Sequence, residues 1–267
     1  MTEPRVLISV VIPCYNDGIY LRETLSRLKQ QTYTHYEVLI VDDGSTDPHT
    51  LAVFTELEKE GYRVLHKENG RMSSARNYGV RHAQGSVLAL LDADDYFHPR
   101  FFEKGLRVLA AEPDTAVVTS HIQLFGEFRK TARPRGGTAW NFLFSNQCPA
   151  CALVRKSCWD EVGGYDESMI WGYEDWEFYI RITKKWRVRV IPEKLLFYRQ
   201  TRKSTHRNQT LPNREKIIAY ILDKHGDWYL EQLKALINRQ EVIYTGERVS
   251  FQRLARMLRN RLFPPRA

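Results

Sequence analysis

The first 120 residues alternate between two hydrophobic periods. Val6-Leu-Ile-Ser-Val-Val-Ile12 is a short, β-branched, nearly continuous apolar run. That is the pattern of a strand buried on both faces of a parallel sheet. Leu21, Leu25 and Leu28 then recur at helical spacing behind Asp17, a residue type suited to a helix N-cap. The pair repeats. Tyr36–Val41 predicts a second buried strand, and Asp47-Pro48 opens a second helix with proline in its first turn. Tyr62–His66 and Ser73–His82 predict a third strand and helix, Val87–Leu91 and Pro99–Ala111 a fourth. Alternation at this spacing predicts an α/β fold: an open, mostly parallel central sheet with helices on both faces.

The second half is less regular. Thr115–Phe128 predicts a strand or hairpin broken at Gly126, and residues 131–138 (TARPRGGT) read as a loop. Cys148–Val154 predicts a strand, Lys156–Val162 a short helix and Glu174–Lys184 a longer one. Trp186–Val190 and Leu195–Arg199 predict two further strands, and after Pro212 the pattern is helical nearly to the end. The expected organisation is one α/β domain over residues 1–210, with halves at about 1–120 and 121–210, and a C-terminal helical extension over 211–267.

Composition narrows the classes. The chain has 267 residues, 43% of them hydrophobic, enough for a full core without disulfide staples. No run of 18 apolar residues occurs, so no transmembrane helix is expected. The N-terminal residues lack a leader pattern, which makes the cytoplasm the expected compartment and its four cysteines reduced. Forty Lys+Arg against 32 Asp+Glu leave a net charge of +8. A nucleic-acid binder would interleave that charge with aromatics along a stripe. Here Tyr165, Trp171, Tyr173 and Trp176 crowd acids instead, so no nucleic-acid partner is expected. The charge is concentrated from Val249 onward. Phe251, Leu254, Leu258 and Leu262 share one helical face there, with Arg253 and Arg256 opposite and no acid in the run. The pattern matches a helix lying on an anionic membrane surface, and equally one packed on protein, including a second copy of the chain.

In an open parallel sheet, ligands bind beyond the carboxyl ends of the strands. Three predicted strands run into polar residues there: Pro13-Cys14-Tyr15-Asn16-Asp17, Asp42-Asp43-Gly44-Ser45 and Asp92-Ala93-Asp94-Asp95. Asp47 is a plain helix cap. The last triplet is different, because three carboxylates within four residues repel one another unless a cation or donors sit between them. Hard oxygen ligands suit Mg²⁺ or Mn²⁺. There is no G-x-x-x-x-G-K-[ST] and no G-x-G-x-x-G behind the first strand, which excludes a P-loop and disfavours a dinucleotide site.

Five blocks in order, VVIPCYN, VDDGSTD, SARNYGVRHAQG, LLDADD and GGYDES followed by GYEDWEFYIRI, resemble a family 2 glycosyltransferase over roughly residues 6–205. The resemblance implies a GT-A fold with a Rossmann-like sheet, a nucleotide-diphosphate sugar donor (UDP first, dTDP next), Mn²⁺ or Mg²⁺, and inversion at the anomeric carbon. It also implies roles. Pro13 and Tyr15 resemble the edge against the base, and Asp43, with Asp42 beside it, the acid that accepts from the base. Arg76 resembles the cation reaching the nucleotide or diphosphate, Asp92 the ribose or metal contact, and Asp94 the direct metal ligand. Asp175 resembles the catalytic base, with Glu174 and Trp171 shaping the acceptor site. The acceptor so implied is a glycan or lipid-linked saccharide of envelope polysaccharide assembly, which would place the enzyme in the cytoplasm or on the inner face of the cytoplasmic membrane. The family's YRxH pattern is not kept: Thr201 stands where the histidine would be, and His206, five residues on, is the alternative metal ligand. A nucleotidyltransferase and a catalytically inactive nucleotide-sugar or glycan-binding module are the rival readings. Cys148 and Cys151 form a CxxC with no second ligand pair, the pattern of buried thiols.

Overall fold

The computed structural model describes residues 5–201 and 206–238. The first half builds the expected alternation. Strands β1 (Ile8–Cys14), β2 (Tyr36–Asp42), β3 (Arg63–His66) and β4 (Val87–Leu90) alternate with helices α1 (Gly18–Leu28), α2 (Pro48–Lys59) and α3 (Arg71–Arg81). Every residue of β1 and β4 is buried, as continuous apolar runs require of central parallel strands. β5 (Tyr96–Phe97) and α4 (Phe101–Ala111) follow, then β6 (Thr115–Gly126), β7 (Lys130–Ala132), α5 (Ala139–Phe142), β8 (Ala152–Arg155), α6 (Lys156–Val162), α7 (Glu174–Thr183), β9 (Arg187–Gln200) and α8 (Arg214–Asn238).

Among the described residues the strands form one sheet in the order β3-β2-β1-β4-β8-β6-β9-β5, with β7 paired to β6. β3, β2, β1 and β4 run parallel. The other half is mixed: β8 is antiparallel to both β4 and β6, and β6 is parallel to β9. Antiparallel β8 stitches two parallel groups into one layer, and the core lies between that layer and helices α1, α2 and α4, around Ile8, Ile12, Leu21, Phe54, Phe101 and Phe102.

Three local expectations change. Asp17 stands at the start of α1, but its side chain makes no capping bond there; the Gly18 N–H donates instead to Thr50 Oγ1 at 3.1 Å. Lys130–Ala132, at the start of the expected loop, forms β7. The two late strands are one. Pro192 has no N–H to give the ladder, so the register against β6 jumps from Ser120–Ile191 to His121–Lys194 and the strand continues beyond the irregularity.

The chain divides into two compact units, residues 1–218 and 219–267. α8 loses helical geometry at His225 (φ −121°, ψ 18°). The basic amphipathic run from Val249 onward lies outside the described residues. No described helix is long and apolar enough to cross a membrane.

Candidate active site

β1 to β4 are parallel neighbours, so their carboxyl ends open onto one edge. At β1, Pro13 is buried within the strand opposite Val41, whereas Tyr15, just past it, is 47% exposed. Asn16 adopts a left-handed φ of 56°. Its Oδ1 accepts from Thr46 N at 2.8 Å and Asp47 N at 2.9 Å, which ties the turn after β1 to the turn after β2.

Asp42 and Asp43 are both buried and are used differently. Asp42 Oδ1 accepts from Ser45 N at 2.8 Å, and Oδ2 lies 2.9 Å from His66 Nδ1. Its carboxylate thus closes a turn and grips β3. These bonds, with Glu58 at the other ring nitrogen, push the His66 pKa up. Asp43 Oδ1 accepts from Lys67 Nζ at 2.7 Å and Gly70 N at 3.0 Å, while Oδ2 carries no hydrogen bond among the described residues.

β4 ends in the acid triplet. Thr24 Oγ1 donates to the carbonyls of Ala93 (2.8 Å) and Asp95 (2.9 Å), and Arg199 Nε to that of Asp94 (3.0 Å). The Asp95 side chain faces inward: Oδ1 accepts from Arg199 N at 2.7 Å and Oδ2 from Cys151 Sγ at 3.5 Å. The Asp94 carboxyl stays at the rim, and burial beside Asp92 and Asp17 pushes its pKa up to about 7. Uncompensated negative charge of this kind, on hard oxygen donors, is what a divalent cation relieves. Asp94, with the Asp92 oxygen not bound to Arg76, fits such an ion. Asp92, Asp95 and Cys151 also offer ligand atoms within 4.8 Å of one another. That trio fits poorly, because both Asp95 oxygens are engaged and burial drives the Cys151 thiol well above its ordinary value.

Arg76 lies inside the protein. From α3, one guanidinium nitrogen donates to Glu174 Oε1 at 2.7 Å and another to Asp92 Oδ1 at 2.8 Å. The guanidinium also sits 5.3 Å from the centre of the Tyr165 ring. The neighbouring Asn77 holds Tyr165 by its backbone, with Nδ2 to Tyr165 O (2.9 Å) and Tyr165 N to Oδ1 (2.8 Å). Two sequence blocks far apart in the chain, SARN and GGYDES, are therefore locked face to face.

Glu174 and Asp175 open α7 behind Tyr173, whose φ of 58° turns the chain into the helix. Asp175 Oδ1 accepts from its neighbour Trp176 N at 2.7 Å and Oδ2 from Asn146 Nδ2 at 2.8 Å. Burial, with Glu174 adding to it, pushes the Asp175 pKa up to about 7, against the opposing charge of Arg76. Trp171 is 38% exposed, with Lys216 Nζ 5.4 Å from its ring centre. Gly172 beside it has φ +105°, and a Cβ there would lie 2.2 Å from Thr210 Oγ1, so only glycine seats this loop. His206 begins a π-helical turn, His206–Thr210, and its side chain lies outside the described residues, as do residues 202–205.

Asp92, Arg76 and Glu174 are thus brought into contact, and the Asp175 pKa responds to Arg76 and Glu174. Lys67, Asn146 and Arg199 join the site without having been singled out by the sequence. Lys67 directly follows β3, so the strand-end argument used for β1, β2 and β4 points to it as well. Asn146 lies in an irregular loop, and nothing in the sequence marks it. All four cysteines are free and buried, and burial pushes the Cys14 thiol up to about 12, which makes it unreactive.

A family model described as "Glycosyl transferase family 2" matches residues 9–203. The glycosyltransferase YwdF of Bacillus subtilis is 31% identical over 232 residues, 82% of this chain and 84% of YwdF. Glycosyltransferase GlyG of Streptococcus pneumoniae is 37% identical over 123 residues, 45% of this chain and 40% of GlyG. Among solved structures, S. aureus TarS 1–349 in complex with UDP-GlcNAc superposes with a TM-score of 0.65 at 19% identity, over 75% of this chain and 60% of that one. The complex of the same TarS fragment with UDP gives 0.62 at 20% identity, over 73% and 60%. The sheet order, the acid-bearing strand ends and these matches converge: the chain belongs to glycosyl transferase family 2 and is a glycosyltransferase with a GT-A fold.

Proposed function

We propose that the protein transfers a sugar, with inversion, from a UDP-sugar to a hydroxyl of a glycan or lipid-linked saccharide. One observation carries this reading. A single buried guanidinium, that of Arg76, joins a donor-edge acid (Asp92) to the helix start that presents Asp175, a buried carboxyl raised to about 7. An acceptor hydroxyl needs a base as it attacks the anomeric carbon, and a base works best when its pKa lies near the working pH. Asp175 takes that proton, oriented by Asn146 and the Trp176 N–H. A single displacement by one base inverts the anomeric centre. Glu174, fixed by Arg76, borders the acceptor, and half-exposed Trp171 offers an aromatic face to a sugar ring.

On the donor side, Tyr15 packs on the base and Asp43 accepts from it, with Pro13 and Asp42 building the edge from within. Asp92 and Asp94 would hold Mn²⁺ or Mg²⁺, which would supply positive charge to offset that of the departing diphosphate. The TarS complexes with UDP and UDP-GlcNAc, on the same fold, support a uridine donor over a thymidine one. The basic amphipathic pattern from Val249 onward supports a lipid-linked acceptor met at the inner face of the cytoplasmic membrane.

The test is calorimetric. UDP is titrated with and without Mn²⁺ into the wild-type chain and Asp94→Ala. Metal-enhanced UDP binding that Asp94→Ala abolishes is expected. UDP binding that is indifferent to both metal and Asp94 would remove the metal assignment.

A further inference from the structure

We propose that Lys67 reads the base of the donor nucleotide, as the partner of Asp43 in selecting a uracil-type imide edge. The inference rests on the donor reading above and adds to it a residue and a rule of discrimination. β2 and β3 are parallel and in register, with Asp42 opposite His66. Asp43 and Lys67 are the next residue on each strand, so they leave the sheet side by side at the ligand-binding edge. Lys67 is an unusual lysine: its side chain is only 13% exposed, and that of Asp43 4%. Its ammonium donates to Asp43 Oδ1 at 2.7 Å and to the carbonyl of Glu68. An ammonium has three donors, so one proton is left after these two bonds. Asp43 Oδ1 takes both the Lys67 and Gly70 bonds, which leaves Oδ2 as its open acceptor.

The surroundings are shaped for this pair. A Cβ on Gly70 would fall 2.8 Å from Lys67 Nζ and 2.6 Å from Ser74 Oγ, so any larger residue would crowd the ammonium. Asn69 Nδ2 donates to the Asp43 carbonyl at 2.9 Å, which pins the loop to the strand end. The edge therefore presents an acceptor, Asp43 Oδ2, beside a donor, Lys67 Nζ. Uracil presents the complement: N3–H flanked by carbonyl oxygens. Cytosine opposes it twice, with a lone pair at N3 facing the carboxylate and an amino group at C4 where the ammonium seeks an acceptor. Mismatched buried polar groups are what makes such a site selective.

The experiment measures UDP and CDP affinities by calorimetry at saturating Mn²⁺, for the wild-type chain and Lys67→Met, with melting curves for both. Loss of one charge-assisted hydrogen bond is expected to weaken UDP about tenfold. CDP should change less than twofold, so the UDP/CDP preference falls by nearly the same factor. A second measurement needs no variant: 2-thio-UDP and 4-thio-UDP are titrated into the wild-type chain, and one of them should bind several-fold more weakly than UDP. Equal losses for UDP and CDP in Lys67→Met, or equal binding of UDP and both thio analogues, would overturn the proposal and leave the donor reading standing. No UDP binding by the wild-type chain would remove the donor reading and this inference together.

Discussion

Arg76→Gln is the perturbation that tests the site's construction most directly. The Arg76 side chain is 3% exposed and contacts two acids, Asp92 at 20% and Glu174 at 13%. Removing one partner of a buried ion pair costs about 3–5 kcal/mol, because the other is left as an uncompensated charge. Here two carboxylates lose the same cation, so the upper half of that range applies. In a unit of about 200 residues each kcal/mol moves the melting temperature by roughly 2–4 °C, which gives a drop of about 8–20 °C. Arg76→Lys should fall in between, since one ammonium cannot hold two carboxylates in the geometry of a guanidinium fork. The electrostatic consequence has a definite sign. Arg76 opposes the upward shift of Asp175, so its loss should move the acid limb of the pH–rate profile to higher pH. Differential scanning calorimetry and kcat/KM against pH at saturating Mn²⁺ check the two effects. A melting temperature within about 2 °C of wild type, with an unmoved acid limb, would refute the claim that Arg76 braces the donor edge against α7.

In the wild-type chain, log kcat/KM should rise with unit slope up to about pH 7 and then level off, because the proposed base Asp175 would act only when deprotonated. Asp94, raised to a similar value, would release its proton to solvent on binding the metal, so saturating Mn²⁺ isolates the Asp175 limb. Asp175→Asn should lower kcat by about 10²–10⁴-fold while leaving UDP affinity, read by calorimetry, within about twofold. Near-normal turnover in that variant would show that another group takes the proton.

The readable half of the chain was readable for a physical reason. β1 and β4 are buried along their whole length and β2 over its last four residues, so these stretches are almost all apolar and the polar residues at their ends mark where the strands stop. That placed Asp43, Asp92 and Asp94 at one edge before any coordinates. β9 was harder, because Pro192 interrupts the pattern although the sheet carries the strand past it as an irregularity. Asp175 stood out only in company with the other four blocks, since a pair of acids at a helix start is by itself what the helix dipole favours.

What a side chain does with its charge was settled only by tertiary packing. Arg76 in the sequence is a cation three residues before Gly79; nothing local says whether it meets a phosphate or two carboxylates. The fold brings Glu174, 98 positions away, to one of its nitrogens and Asp92 to another. Asp42 and Asp43 are neighbours of one type, yet one closes a turn with Ser45 and His66 while the other keeps an oxygen open beside Lys67. Asp94 and Asp95 divide likewise into a rim acid and an inward one, because Arg199 and Cys151 arrive from strands and loops more than 50 residues distant. Hydrophobic periodicity is a property of neighbours along the chain, and the sequence by itself determined the layers and the edge. Ion pairing is decided by partners across the fold, and so only the tertiary structure decided which acids are spent on bracing the site and which keep an oxygen open.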